Sequence, residues 1–416
     1  MLIHNARILT LAGEPGPRRS RALRDLNVID QGWVSIEDGR IAEVESGAPD
    51  PRRLRGATDA IDAQGRVLMP AFVDCHTHAC WAGDRFDEFE MRLAGVSYLD
   101  ILKRGGGIMA TVRAVRQADE ATLTRLLLER LERMMLLGTA TVEVKSGYGL
   151  SPDDEIKMLR AIRAAAGRSP LRIVPTFLGA HAIDRDNPDF VEETITKTLP
   201  AVAQEFPKIA CDAYCETAAW PLEDCRRLFE EAQALGCPIR VHTDQFNSLG
   251  MTRLAVEMGA VSVDHLEAIT PRDLEFLARS ETIGVMVPCT GFNLDGRYAP
   301  ARALIDAGGA VAIASNYNPG SAPTPSIPFT IALACRALCM TPAEAIAAAI
   351  WNAACVLRLE DEVGSIEIGK RADLQILDMR DERGLAYEFA TPGPAMVMIG
   401  GKVVSRGEHA RFEQGD

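Results

Sequence analysis

The chain lacks the features that would tie it to a membrane, a secretory route or a polyanion. No segment approaches the ~20 consecutive apolar residues of a membrane span, and Met1-Leu2-Ile3-His4-Asn5-Ala6-Arg7 holds no signal-peptide core. The ten cysteines are scattered without a C-x-x-C pair, which argues against a disulfide framework and for free thiols in a reducing cytoplasm. Positive charge is in deficit: 45 Lys and Arg against 58 Asp and Glu leave a net charge of −13. That balance disfavours nucleic acid and anionic membranes as partners. An anionic substrate would need a local Arg or Lys to overcome the overall field. No Walker pattern follows Lys103-Arg104-Gly105-Gly106-Gly107, so this run reads as a flexible loop and a candidate lid, not a phosphate cradle.

What is present is an ordinary globular composition, 47% apolar and 25% charged over 416 residues, enough for a large core and more than one domain. Both ends are β-rich. Residues 1–10 alternate as a strand, and Trp33 to Val44 reads as a hairpin turning at Asp38-Gly39. Residues 13–28, rich in Gly, Pro and Arg, read as a mobile surface loop. Short strands recur at Ala372–Leu377 and Met396–Val404. Neither terminal set can bury a face alone, which predicts one small discontinuous β-sandwich from residues 1–66 and 360–416. Between them, over 67–359, eight apolar runs alternate with amphipathic stretches such as Ala121–Leu137 and Pro221–Leu235. The runs are Leu68–His76, Ala140–Lys145, Leu171–Phe177, Ile209–Cys215, Ile239–Asp244, Val261–His265, Ile283–Pro288 and Val311–Ser315. Eight βα repeats predict a closed (β/α)8 barrel, an α/β fold.

Histidine is scarce, seven in all, and its placement is telling. His4 and His409 lie near the termini. The other five fall at or just past strand ends: His76 and His78 on the first, His181 after the third, His242 on the fifth and His265 on the sixth. Active sites of such barrels are built at that end. In His76-Thr77-His78 the period-2 alternation of a strand aims both imidazoles to one side, where they can share a metal ion. His242 is the natural third ligand, and His265 a fourth ligand or an acid–base group. Asp74 shares the face of the pair and is placed to orient a ligand. Arg85 could hold a carboxylate bidentately or simply be solvated. Tyr148 could donate to a polar substrate atom, whereas Lys145 only closes the second strand. The turn Asn316-Tyr317-Asn318-Pro319-Gly320-Ser321 could present amides to a ligand or be no more than a tight turn.

These motifs resemble those of the amidohydrolase superfamily and, within it, the imidazolonepropionase family. The resemblance runs through Phe72-Val73-Asp74-Cys75-His76-Thr77-His78, Ala82-Gly83-Asp84-Arg85, Gly105-Gly106-Gly107-Ile108, Leu178-Gly179-Ala180-His181, Val263-Asp264-His265-Leu266 and Asn318-Pro319-Gly320-Ser321. Its most specific part is Glu143-Val144-Lys145-Ser146-Gly147-Tyr148-Gly149. It implies one zinc or iron ion on His76, His78 and His242, with a fourth ligand at position 316. It assigns substrate binding to Arg85, Tyr148, His181, Gln245, Asn318, Gly320 and Ser321, with Gln245, His265 and Asn316 taking part in catalysis. The implied reaction opens 4-imidazolone-5-propanoate to N-formimino-L-glutamate in histidine degradation, in a homodimer. The family's eighth strand ends in an aspartate, where this chain has Asn316. An amide coordinates but neither accepts a proton at neutral pH nor supplies charge, so His265 is expected to act as the base. Two other readings stay open: a deaminase or other cyclic-amide hydrolase acting on a different carboxylate-bearing ring, and a binding protein impaired at Asn316.

Overall fold

The computed structural model describes residues 1–57, 59–96, 100, 105–390 and 392–407. His409 and the Lys103-Arg104 part of the expected lid lie outside the described residues.

Each expected run contributes one of eight parallel strands: Phe72–Asp74, Thr139–Lys145, Arg172–Ala180, Ala210–Cys215, Ile239–Thr243, Ser262–His265, Ile283–Met286 and Val311–Ile313. They hydrogen-bond in sequence order. Past the ends of the first and eighth, His78 N donates to Tyr317 O and Asn316 N to His76 O, each at 3.0 Å, and these bonds close the ring. The second strand is buried along its whole length, as expected of a parallel strand covered on both faces. The two amphipathic segments are helices Glu120–Leu136 and Leu222–Ala234, the former capped by Asp119, which accepts from Thr122 N at 2.8 Å.

The termini meet in one eight-stranded mixed sheet. The hairpin Val28–Glu37/Arg40–Ser46 turns at Asp38 and Gly39, with φ of 48° and 77°. Two successive left-handed residues give the tight turn that matches strand twist. A Cβ on Gly39 would also come within 2.8 Å of Gly400 O. Side-chain alternation splits this sheet's burial between two interiors. Leu68, Met396 and Met398 join its own core with Ile3, Ile8, Val34 and Leu374, while Val67, Met69, Val397 and Ile399 pack into the barrel's core.

Two expectations are corrected. The apolar run Leu68–His76 is not one barrel strand: Val67–Pro70 pairs with Leu374–Ile376 and Leu2–Leu9 in the terminal sheet, and only Phe72–Asp74 enters the barrel. Residues 13–28 are not a loose surface loop. Leu23 and Leu26 are buried, and the Arg18 guanidinium donates to Leu11 O and Ala12 O. The Asn352 side chain grips the Arg18 backbone at 2.7 and 2.9 Å.

Candidate metal centre and substrate pocket

At the C-terminal mouth of the barrel His76, His78 and His242 converge. One ligand nitrogen from each lies within 4.8 Å of the others, and all three residues are buried. The pair His76 and His78 follows the end of the first strand, where the bridge at Thr77 prolongs the extended backbone. His242 sits on the fifth strand. Each outer ligand is oriented by a carboxylate: His76 Nδ1–H donates to Asp264 Oδ2 at 2.5 Å, and His242 Nδ1–H to Asp212 Oδ1 at 3.1 Å. Both are thereby fixed as tautomers that point Nε2 inward. His76 Nε2 and His78 Nδ1 are buried with no hydrogen-bond partner among the described residues, and His242 Nε2 faces His78 Nε2 at 3.2 Å. Burial and neighbouring positive charge push the affinity of His76, His78 and His242 for a proton down, so the imidazoles are neutral. Neutral, oriented and otherwise unsatisfied nitrogens fit a metal ion.

Beneath them lies a layer of charge that the sequence reading missed. Lys145 Nζ donates to Glu143 Oε1 at 2.6 Å and Asp212 Oδ2 at 2.8 Å. Arg240 donates to Glu143 Oε1 at 3.2 Å and Asp264 Oδ2 at 2.8 Å, and to Cys75 O at 2.9 Å. Burial alone would raise the Asp212 carboxyl, but His242 and Lys145 overcome it and hold the group well below the usual range. With Glu143, Asp212 and Asp264 against Lys145 and Arg240, the layer carries a net charge of −1. The signal for it was present: charged residues inside runs that otherwise read as buried strands. Asp74, expected to orient a ligand, accepts from the backbone N–H of His76 and from Ser315 N and Oγ, not from an imidazole, and burial pushes its carboxyl up to about 7.

The remaining candidates surround a cavity of about 990 Å³ that opens on His78, His242, His265 and Asn316. The His265 ring is 5.8 Å from that of His76 and 5.4 Å from that of His242, and its Nδ1 lies 3.3 Å from Glu267 Oε1. Asn316 donates to Thr290 Oγ1 at 2.9 Å. Asp244, His265, Leu266 and Asn316 have φ of 52°, 88°, 72° and 53°, so left-handed non-glycine residues lie at the end of the sixth strand and just past the ends of the fifth and eighth. Such residues persist where the surroundings over-determine them, commonly at functional sites. His181 stacks on His78 with ring centroids 4.9 Å apart, and its Nδ1–H donates to Gly147 O at 3.0 Å. Burial and His242 push its pKa down to about 3, so it is neutral and Nε2 is left as an acceptor. Tyr148 packs against His181 and His78, and burial raises its phenol, which keeps the O–H as a donor. Gln245 Oε1 accepts from Tyr214 Oη at 2.9 Å. In the eighth-strand turn Asn318 Oδ1 accepts the N–H groups of Gly320 and Ser321 at 2.8 and 2.7 Å, so those amides serve the turn itself. Arg85 reaches the cavity beside Gly320, paired with Glu88.

Comparison with known proteins shows the family. The amidohydrolase family matches residues 99–405. The chain is 45% identical over 410 residues to an imidazolonepropionase of Herpetosiphon aurantiacus, covering 96% of each chain. It is 44% identical over 416 residues to an imidazolonepropionase of Symbiobacterium thermophilum, covering 97% of this chain and 96% of the other. The chain belongs to the imidazolonepropionase family of amidohydrolases. In fold it is similar to a 5-methylcytosine deaminase from Klebsiella pneumoniae (TM-score 0.77, 18% identity, 99% of both chains). It is also similar to a zinc-bound adenosine deaminase from Xanthomonas campestris (TM-score 0.71, 19% identity, 100% and 94% of the two chains). At that identity the likeness is one of barrel and terminal sheet. No helix among the described residues is long and apolar enough to cross a membrane, and the ten cysteines are free.

Proposed function

We propose that the chain hydrolyses the ring amide of 4-imidazolone-5-propanoate to N-formimino-L-glutamate, with one divalent ion, zinc or iron, held by His76, His78 and His242 and by the Asn316 amide oxygen. The observation that carries the reading is the trio of buried, neutral imidazoles, two of them fixed by carboxylates, of which His78 and His242 line a cavity that Arg85 also lines. Bound there, a divalent ion supplies Lewis acidity, polarising a carbonyl and acidifying water. The protein's own groups do the rest. Arg85 holds the propanoate, a local cation set against the acidic chain. Tyr148 Oη donates to the ring, and His181 Nε2 accepts from a ring N–H. Gln245 keeps its amide N–H₂ for the substrate because its oxygen is taken by Tyr214. Asn318, Gly320 and Ser321 form the wall beside Arg85. His265 Nε2 takes the proton of the attacking water and returns it to the substrate's ring nitrogen as the C–N bond to the carbonyl carbon breaks, with Glu267 at Nδ1 fixing the imidazole and stabilising the imidazolium. Asn316 cannot take that proton.

Turnover is tested by the ultraviolet loss of imidazolone propanoate with the protein as it stands, alongside His265→Ala. Loss of activity, and of the basic-group limb of the pH–rate profile, is expected in the variant. An unchanged profile refutes the assignment of His265. We also propose a cytoplasmic homodimer, with sedimentation velocity as the test of the dimer.

A further inference from the structure

The Arg85 guanidinium does not stand free in the cavity. Glu88, one turn along the Phe86–Leu93 helix, accepts from Arg85 Nη2 with Oε2 and from Gly107 N with Oε1 at 3.0 Å. The two side chains are only 13% and 12% exposed, and both line the cavity. Arg85 keeps two unspent groups. Among the described residues Nη1 has only a 3.5 Å contact with Thr111 Oγ1, and a Cβ built on Gly320 would lie 3.4 Å from it. Nε is buried with no hydrogen-bond partner among the described residues.

An arginine side chain has many rotamers, and a guanidinium recognises a carboxylate only when its fork is held in a plane that the ligand can meet. Among the described residues, Glu88 is the group that does this. Glu88 ties Nη2 to the backbone amide that opens the Ile108–Gln117 helix, so the guanidinium is fixed at one corner while Nη1 points to the Gly320 turn. We propose that Glu88 is a positioning and specificity-determining residue. By clamping Arg85 to Gly107 it aims the Nη1 side of the fork at the ligand's carboxylate, and so it sets the preference for an acid over its neutral counterpart. This rests on the reading that the substrate's propanoate meets Arg85. It adds that Arg85 without Glu88 is a poor receptor even though one negative charge has been removed from the pocket.

The opposite outcome is physically reasonable, which makes the test sharp. If Glu88 merely competed with the substrate for Arg85, removing it would tighten binding. Steady-state kinetics of wild type, Glu88→Ala, Glu88→Gln and Arg85→Ala would be compared on imidazolone propanoate and on its propanamide analogue. Binding of 3-(imidazol-4-yl)propanoate would be followed by calorimetry. Glu88→Ala should raise KM for the acid at least tenfold with a much smaller change in kcat, and lower the acid-to-amide ratio of kcat/KM at least tenfold. Glu88→Gln, which keeps an acceptor oxygen, should recover part of that loss and serves if the alanine variant does not fold. An unchanged or lowered KM for the acid in both Glu88 variants overturns the proposal. If Arg85→Ala leaves the acid preference intact, the placement of the carboxylate fails and this proposal fails with it. If the wild type does not turn over the imidazolone, but Arg85→Ala and Glu88→Ala both weaken binding of the imidazolyl propanoate, the reaction is wrong and the role of Glu88 stands.

Discussion

Replacing Lys145 by methionine tests the charged layer under the histidines most directly. Lys145, Glu143 and Asp212 have side chains with no exposure, so none can turn to water when a partner disappears. The wild-type layer has three carboxylates and two cations. Lys145→Met makes it three and one, and leaves Asp212 with His242 as its one hydrogen-bond partner among the described residues and Arg240 as a more distant cation. Breaking a buried pair by removing one member costs about 3–5 kcal/mol, because the surviving charge stays desolvated. An unfolding entropy of about 2.1 cal/mol/K per residue over 416 residues gives about 0.9 kcal/mol/K. The melting temperature should therefore fall by about 3–6 °C. The double variant Lys145→Met/Glu143→Gln restores the net charge of −1 and should recover at least about half of the loss, an interaction of the size expected for residues in one network. Calorimetric melting of the four proteins, each stripped with chelator so that metal binding does not enter, measures the cycle. A single variant within about 1 kcal/mol of wild type, or a double variant no more stable than the single, refutes the argument that buried charge balance holds this layer together.

Two further perturbations probe the pocket wall and the outer surface. Gly147 has a φ of 104°, and a Cβ there would lie 2.8 Å from Leu178 O and 3.1 Å from His181 Nδ1. Gly147→Ala should therefore cost more than about 1 kcal/mol and raise KM by displacing His181; an unchanged KM in a folded variant would show that the His181 position tolerates the shift. On the surface, Arg160 and Arg163 hold the Glu205 carboxyl down to about 2. A depressed folded pKa gives stability that is full above the ordinary value of about 4.3 and is lost as pH falls towards 2. Because the group is solvent-screened, Glu205→Gln should cost under about 1 kcal/mol at pH 7, and the gap in melting temperature should close towards pH 3. A gap that widens on acidification contradicts that sign.

The barrel was legible because parallel strands covered on both faces must be apolar along their length, and all eight runs stood out between amphipathic helices. The histidines were legible because polar residues at the ends of such runs have few other reasons to be there. What escaped depends on partners far away in the chain. Nothing in the hydropathy of Val67–Asp74 marks where one sheet ends and the next begins, because Leu374–Ile376, which claims Val67–Pro70, lies some three hundred residues on. Arg18 reads as a surface residue in a Gly/Pro-rich stretch until Asn352 is seen gripping its backbone. Asp264 sits beside His265 in sequence, yet it serves His76, 188 residues earlier. A charged residue inside an apolar run was a signal that the sequence analysis passed over, and only the closed barrel shows which histidine Asp264 orients.

The same layer gives Asn316 its weight. Five charged side chains buried this deeply contribute little to stability that apolar residues of similar volume would not match. Their value lies in what Asp264 and Asp212, held in place by Arg240 and Lys145, do to the imidazoles of His76 and His242: they fix tautomer and orientation, an effect commonly worth about 10–100-fold in metal affinity. Where position 316 is an aspartate, a directly coordinating carboxylate also neutralises part of a dication's charge. In this chain that contribution is missing, and the net −1 of Glu143, Asp212, Asp264, Lys145 and Arg240 is the main compensating charge nearby. Asp212→Asn should therefore weaken metal binding by at least about 10-fold here, and Asn316→Asp should both strengthen binding and blunt the effect of Asp212→Asn. Competition against a chromogenic chelator measures the four affinities without reference to turnover. Strict additivity between the two substitutions would mean that the charge at 316 and the layer beneath the histidines act on the ion independently, and the electrostatic account of Asn316 would have to be abandoned.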